Sequence, residues 1–570
     1  MKINTIMIVI LLLITVISCK KTLDITPNGR ITLKEVFQDE KRTEAFLNTV
    51  YGQIPGYFYS YNFYGFLSVV SDEAQESYIA NSESWINGGL TPSSNGLNNF
   101  YARYWAGIRY ANEFLANIDL ANVSNAANKN RFKAEAKVLR AYYYWELIKQ
   151  YGPMPILDRP LEASYDFTTL KRPAFQDNID FIIKDCDDAI ANSDLPMRII
   201  REGEIGRMTK AVAYAIKSEA LLFNASSLWN PNNDVAKWQT AAIASKEAQA
   251  ALTANGDYEL ASDYGDYFQL PSDGGSSPRD KETILERPGE AGIHLVIENG
   301  IPSKSGTNKA GACPTQELVD SYEMQASGEP AILEYEDNDH LNPIINTLSG
   351  YDPNNPYLGR DPRFYATVWF NGAQYDNGNG NVHTMETFVG GADQWVVRSD
   401  NNKVNTHTGY YLRKFIDPQL QIGQPSSATW KIYRLAEIYL NFAEAENEAN
   451  GPNTNAYFAI NTVRNRAGMP DLPLGLTKDK FRERVHNERR VEFAFEEKRF
   501  WDVRRWKILD KTDNLVTAMV IAKNSDNTFT YNRVVTERRD AWQSKYLIYP
   551  IPLGDVSDIP DFSTNQNPGW

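Results

Sequence analysis

Residues 434–470 read RLAEIYLNFAEAENEANGPNTNAYFAINTVRNRAGMP, and residues 488–506 continue ERRVEFAFEEKRFWDVRRW. In the first segment Leu435, Ile438, Tyr439, Phe442 and Ala445 recur at helical spacing and form one apolar stripe. Ala436 and Ala443 add small side chains that allow a neighbouring helix to approach closely. Asn450-Gly451-Pro452 ends the helix, because glycine supplies a left-handed cap and proline cannot extend the hydrogen-bond ladder. A second helix places Ala456, Ala459, Ile460, Val463 and Ala467 inward, closed by Gly468 and Pro470. Two helices, a short turn and a terminal proline within about 34 residues match the tetratricopeptide period. The stretch is a helix-pair repeat.

Working outward, the same texture recurs upstream. Helical patterns run over 33–54, 101–119, 131–150, 175–191, 209–229 and 235–252, each ended by Gly, Pro or Asn clusters. Pairing 33–54 with 101–119 and ending at the Arg434 pair gives four helix pairs, enough for a solenoid to bury its faces. Between Tyr258 and Thr429 the texture changes to Gly, Pro, Asn and Asp with short strand-like runs, such as Phe364–Phe370 and Gln394–Arg398. The expected fold is mainly α: four tetratricopeptide-like pairs carrying a large irregular, loop-rich insertion with short strands. The expected divisions are an N-terminal helix-pair part (29–257), an irregular ligand-facing part (258–429), and a C-terminal helix pair, charged helix and tail (430–570).

The amino terminus carries separate information. Lys2 precedes an apolar run from Ile6 to Ile17, and Val16-Ile17-Ser18-Cys19 closes it. The run is short for a bilayer span and has the anatomy of a secretory signal. A small residue directly before a cysteine is the pattern of a bacterial lipobox, although Val16 stands where leucine is usual. Removal of residues 1–18, acylation of Cys19 and a tether over 19–28 are therefore expected, with acyl chains holding the protein to a membrane. Cys186 lies on an apolar helix face with Ile179, Ile182, Ile183 and Ile190 and reads as core; a bond to Cys313 is an open alternative.

Several phrases together resemble the SusD/RagB family. They are YARYWAGIRYANEFLANID (101–119), KAEAKVLRAYYYWELIKQYGPMPI (133–156), GRMTKAVAYAIKSEALLFNASSLWN (206–230), PTQELVDSYEM (314–324), GRDPRFYATVWFNG (359–372) and GYYLRKFID (409–417). The opening stretch and the close, YPIP (549–552) through QNPGW (566–570), complete the likeness. Each phrase is weak alone, but their order along the chain is specific. The resemblance implies a non-catalytic, outward-facing outer-membrane lipoprotein that captures glycans, or in some members peptides. It also implies a partner, a SusC-like TonB-dependent barrel that receives the cargo.

The residues themselves argue against other classes. A net charge of −14 lacks the basic footprint that phosphate binding needs. No G-x-S-x-G, P-loop or H-E-x-x-H pattern occurs, and the five histidines lack metal-ligand spacing. No cofactor is expected. Glu488, Glu492 and Glu496 invite a glycoside hydrolase reading, but Arg489, Arg490, Arg499 and Arg505 interleave with them and predict ion pairs at helical spacing. His486 reads as a surface or salt-bridge residue. Glu336-Asp337-Asn338-Asp339 has the oxygens of a calcium site without the glycine and terminal glutamate of an EF-hand, and an acidic turn is expected.

Sugars present C–H faces and hydroxyls, so a glycan site pairs aromatic platforms with amide, carboxylate or guanidinium groups. Aromatics make up 12% of the chain, and those on helical stripes, such as Tyr142, Tyr144, Tyr439 and Phe442, belong to the core pattern. Tyr78, Trp85, Tyr375 and Trp395 lie instead in polar, Gly-rich loops. They are the candidate platforms, with Asn81, Asn87, Asp393 and Arg398 as hydroxyl partners. The competing reading of each is an aromatic that anchors its own loop.

Overall fold

The computed structural model describes residues 31–570, except 57, 59–65, 79–81, 95–99, 270–279, 288–293, 305, 377–379, 400–401, 418, 421–422 and 540–542. The signal, Cys19 and the tether lie outside the described residues, as does Asn81. Among the described residues, no helix is long and apolar enough to cross a membrane.

The chain is mainly helical, and the four expected pairs are present. Glu40–Tyr51 stands with Tyr101–Asn117, Ala126–Tyr151 with Phe175–Ile190, Lys210–Ala225 with Val235–Thr253, and Leu435–Asn450 with Thr454–Arg466. Their starts are set by side-chain caps: Asp39, Asn125, Thr209, Asp234 and Asn453 each accept a hydrogen bond from a first-turn N–H. Gly152, at φ +72°, ends the 26-residue helix, as the YGP sequence predicts. Close packing has one strict requirement. A Cβ on Gly107 would lie 2.5 Å from the Tyr143 ring, so only glycine allows these two helices to meet there.

The fourth pair comes from beyond the insertion. Leu435–Asn450 packs on Val235–Thr253, so the solenoid closes across the intervening residues. Entry to and exit from the insertion are zipped together, because Thr283–Arg287 pairs antiparallel with Trp430–Arg434. One hydrophobic core runs from Phe37 to Phe562. A smaller cluster under the insertion gathers Ile301, Cys313, Trp369, Tyr375, Met385 and Tyr411.

Several expectations are corrected. Residues 364–367 are helical, within Pro362–Thr367, because Asp361 caps that helix and Pro362 sits in its first turn; the strand is only Val368–Trp369. Gln394–Arg398 is extended but in no strand. The 33–54 helix is broken at Gln38-Asp39, where Asp39 caps a new one. The C-terminal part holds a long hairpin, Leu515–Lys523 with Phe529–Arg538, which the reading as a tail missed. Cys186 and Cys313 are buried free thiols. Asp337 accepts bonds from the backbone N–H of Asp339, Leu341 and Asn342, and Asp339 pairs with Arg538, so the acidic run is a self-bonded turn.

The charged helix also departs from expectation. It runs Lys478–Glu492 and then stops; Phe495 and Glu497 adopt left-handed φ values of +62° and +63° before Lys498–Arg505 begins. Asp479 and Glu483 pair along the helix, but Glu488 and Glu492 at its end, and Glu496 beyond it, find partners across the fold. Glu488 pairs with Arg363 (2.6 Å) and Arg464 (2.9 Å). Glu492 meets Arg363, Arg434 and Arg466, and Glu496 meets Arg434 and Lys414, both at 2.7 Å. His486 is partly covered, stacking on Trp506 with ring centroids 3.5 Å apart.

Titration separates two kinds of buried carboxyl. Burial raises the pKa of Glu492, but Arg466, Arg434 and Arg363 together outweigh it and hold the carboxyl below the usual range. Such a group stabilises the fold above its ordinary value of 4.5, and the gain is lost as pH falls. Glu497 is the reverse case. Burial, weakly opposed by the Leu67 N–H at 3.5 Å, pushes it up to about 8, with Glu146 and Glu73 acting the same way. Its contribution is complete below pH 4.5 and is lost as pH rises through about 8. Melting temperatures of the wild type and Glu497→Gln, compared from pH 5 to about 8, are expected to diverge in favour of the variant as pH rises. A difference independent of pH contradicts the assignment.

Candidate functional site

The insertion face is assembled from distant strands. Ala74–Glu76 pairs with Ala312–Pro314, and Ser77 continues the ladder by bonding Gly311. Ser77 Oγ then donates to the Lys403 carbonyl at 2.8 Å and accepts from the Gly311 N–H at 2.9 Å. The Ser77 carbonyl lies 3.1 Å from His407 Nε2, while His407 Nδ1 lies 3.2 Å from the Val396 carbonyl. Burial lowers the pKa of this imidazole and the two carbonyls oppose that; a neutral ring carries one N–H, so it would tie the two loops through one donated hydrogen bond and one close contact. Trp395 joins the same tie, its Nε1 donating to the His407 carbonyl at 2.8 Å.

Around this tie stand five of the eight candidates: Tyr78, Tyr375, Asp393, Trp395 and Arg398. They are not equivalent. Trp395 and Tyr78 are half-buried, and Val397 beside Trp395 is 70% exposed. Arg398 pairs with Glu537 at 2.5 Å, a carboxylate that Gln75 and Arg539 also bind. Asp393 is buried and accepts the Ser303 N–H at 2.8 Å, which leaves it a structural role under the loop. Tyr375 is buried too, with its hydroxyl 3.0 Å from Ser303 Oγ and its ring stacked on His383. A ring so covered belongs to the smaller core and offers no platform.

Trp85 is elsewhere. It packs against Phe500, Tyr546 and Tyr549, with centroids 5.6, 5.9 and 5.1 Å away, and the Arg504 guanidinium covers it at 5.5 Å. The expectation of a platform there is corrected: the ring anchors its loop against the C-terminal elements. Asn87 is exposed near that loop and away from the tie. Lys309 and Lys403, whose ammonium groups lie 5.2 and 5.7 Å from the Tyr78 ring centroid, and His407 were missed by sequence reading. No spacing pattern links residues 78, 309, 403 and 407; only the fold brings them together.

A separate concavity of about 630 Å³ lies between Tyr101–Asn117, the 155–170 segment and the C-terminal Leu553–Phe562 stretch. Its wall mixes aliphatic Ile108, Leu157 and Leu170 with the aromatics Tyr101, Trp105 and Phe167 and with the polar Arg109, Asn112, Glu113, Arg159, Glu162 and Asp555. Aromatic rings beside amide, carboxylate and guanidinium groups make this concavity a second place where a sugar could be held.

Comparison with known proteins accords with this architecture. A profile described as the SusD family matches residues 279–570, and one described as starch-binding associating with the outer membrane matches 28–222. The chain belongs to the SusD family. SusD-like protein P25 of Formosa agariphila is 23% identical over 556 residues, covering 89% of this chain and 91% of that protein. A SusD-like protein of Bacteroides fragilis superposes with a TM-score of 0.77 at 26% identity, over 95% of this chain and all of that one. A laminarin-binding SusD-like protein, at 21% identity and a TM-score of 0.62 over 94% of this chain and all of that one, shares the fold.

Trp85→Ala and Trp395→Ala are expected to separate core from surface. The first removes a buried indole and lowers unfolding free energy by about 3–5 kcal/mol, the range for large aromatic truncations. The second costs clearly less, because part of its surface is already in water. Equal losses in urea denaturation contradict the distinction.

Proposed function

We propose that this protein is a non-catalytic surface lipoprotein that captures glycans on the insertion face and passes them to a SusC-like TonB-dependent barrel. Family membership supports the binding role, and the laminarin-binding neighbour is a case of that role on the same fold. One observation carries the location. Trp395 is held half-buried by a hydrogen bond to the His407 carbonyl, and the His407 ring meets the Ser77 carbonyl next to the half-buried Tyr78, over which Lys309 and Lys403 lie. Glu488, Glu492 and Glu496 are locked in buried ion pairs, so they are poorly placed for acid–base catalysis across a cleft.

Acylation of Cys19 supplies the tether, and a tethered binder needs a channel to move its cargo, which is the reason for the barrel partner. A glycan and peptide library screened with the soluble form lacking residues 1–19 tests the class of ligand. The expected result is a glycan hit whose affinity falls by ~1–3 kcal/mol in Trp395→Ala, on the scale of base–aromatic stacking, with circular dichroism unchanged. Peptide hits without glycan hits contradict the reading and favour a peptide-capturing member of the family.

A further inference from the structure

The Tyr78 ring is not a bare stacking surface. Two ammonium groups lie over it, Lys309 Nζ at 5.2 Å and Lys403 Nζ at 5.7 Å from the centroid, within cation–π range. The two cations differ in what else they meet. Lys309 is buried and 3.0 Å from Glu298, so its charge is answered inside the protein. Lys403 is half-buried and, among the described residues, makes no ion pair. Its backbone is fixed from two sides, since its carbonyl accepts from Ser77 Oγ at 2.8 Å and from the Ala310 N–H at 2.9 Å. The ring therefore orients an ammonium group that has no carboxylate partner among the described residues.

Among the described residues, three carboxylates of this face are already engaged. Glu76 accepts from Ser82 Oγ, Asp393 from the Ser303 N–H, and Glu537 pairs with Arg398 and Arg539. Arg398 in turn keeps Nε buried without an acceptor among the described residues. Among the described residues, Lys403 thus lacks a carboxylate partner, whereas the Arg398 charge is answered by Glu537, in a chain whose net charge is −14. Long-range attraction of an anion is weak under that net charge. Recognition falls to contacts within a screening length of about 8 Å at physiological salt.

Building on the glycan reading above, we propose that the ligand is a negatively charged glycan, bearing uronate carboxylates or sulfate esters, and that Lys403, oriented by Tyr78, contacts its anionic group. An ammonium donates charge-assisted hydrogen bonds to either oxyanion, so the two sources share one chemistry. A flat face of the sugar then meets Trp395.

Isothermal titration of the soluble protein with oligogalacturonate, dextran sulfate, a panel of neutral glycans including dextran, and polyglutamate tests this, at low and at high salt. Binding of oligogalacturonate alone identifies the carboxylate, and binding of dextran sulfate alone identifies the sulfate. In either case the affinity is expected to fall with salt and to drop about fivefold in Lys403→Gln, the size of a partly exposed ion pair. Lys403→Arg retains it and Tyr78→Leu reproduces the loss. Neutral glycans bound as tightly as charged ones, or an unchanged affinity in Lys403→Gln, overturns the proposal and leaves glycan capture standing. Polyglutamate bound in preference to every glycan, or no glycan bound at all, overturns both.

Discussion

The interaction on which the molecule depends is the buried ion network around Arg434. Lys414, Arg363, Arg434, Arg464, Arg466 and Arg484 meet Glu282, Glu323, Asp361, Glu488, Glu492 and Glu496, with Glu329 at the margin beside Arg484. Most of these side chains are almost wholly out of water. Desolvating so many charges is costly, and the cost is recovered only if every partner stays in place. The network therefore imposes geometry more than it adds stability. Its members come from the insertion, from the fourth helix pair and from the broken charged helix, so satisfying it requires all three to be present and in register.

That requirement explains how a loop-rich insertion is presented as a defined surface. Short two-stranded sheets are marginal on their own. Here the strand that leads into the insertion, Thr283–Arg287, is paired with the strand that leaves it, and Arg434 at the end of that second strand binds Glu282 at 2.7 Å. The smaller hydrophobic cluster under Tyr375 and Trp369 adds a local core. The insertion face is thus irregular backbone held by a rigid frame, the arrangement in which loops usually serve recognition.

The scaffold was legible in the sequence because its signals are local. Apolar stripes, Asn-Gly-Pro and Tyr-Gly-Pro stops and capping residues each act within a few positions, and all four pairs follow from them. What was not legible depends on residues far apart. Trp85 sits in a polar loop and looks free, yet elements more than four hundred residues later cover it. Glu488 and Glu492 show the spacing of a surface helix, and only the left-handed turn at Phe495 and Glu497 reveals that their partners lie elsewhere. The hairpin over 515–538 carries a local signal in its Val, Ile and Thr residues around Asn524–Asn527, weaker than the helical patterns beside it. For the proposed site, Trp395 and Arg398 are legible as loop residues, whereas Lys403 has no mark beyond its position in a polar run.

The central claim is that the network makes insertion and helical frame one cooperative unit. Native-state hydrogen exchange in increasing denaturant measures this directly, by comparing amides of Thr283–Arg287 with those of Lys210–Ala225. The account predicts a common opening free energy for both segments in the wild type, and an equal fall in both when Arg434→Met leaves Glu282, Glu492 and Glu496 short of a cation. A wild-type protein in which Thr283–Arg287 exchanges well before the helix opens would contradict it.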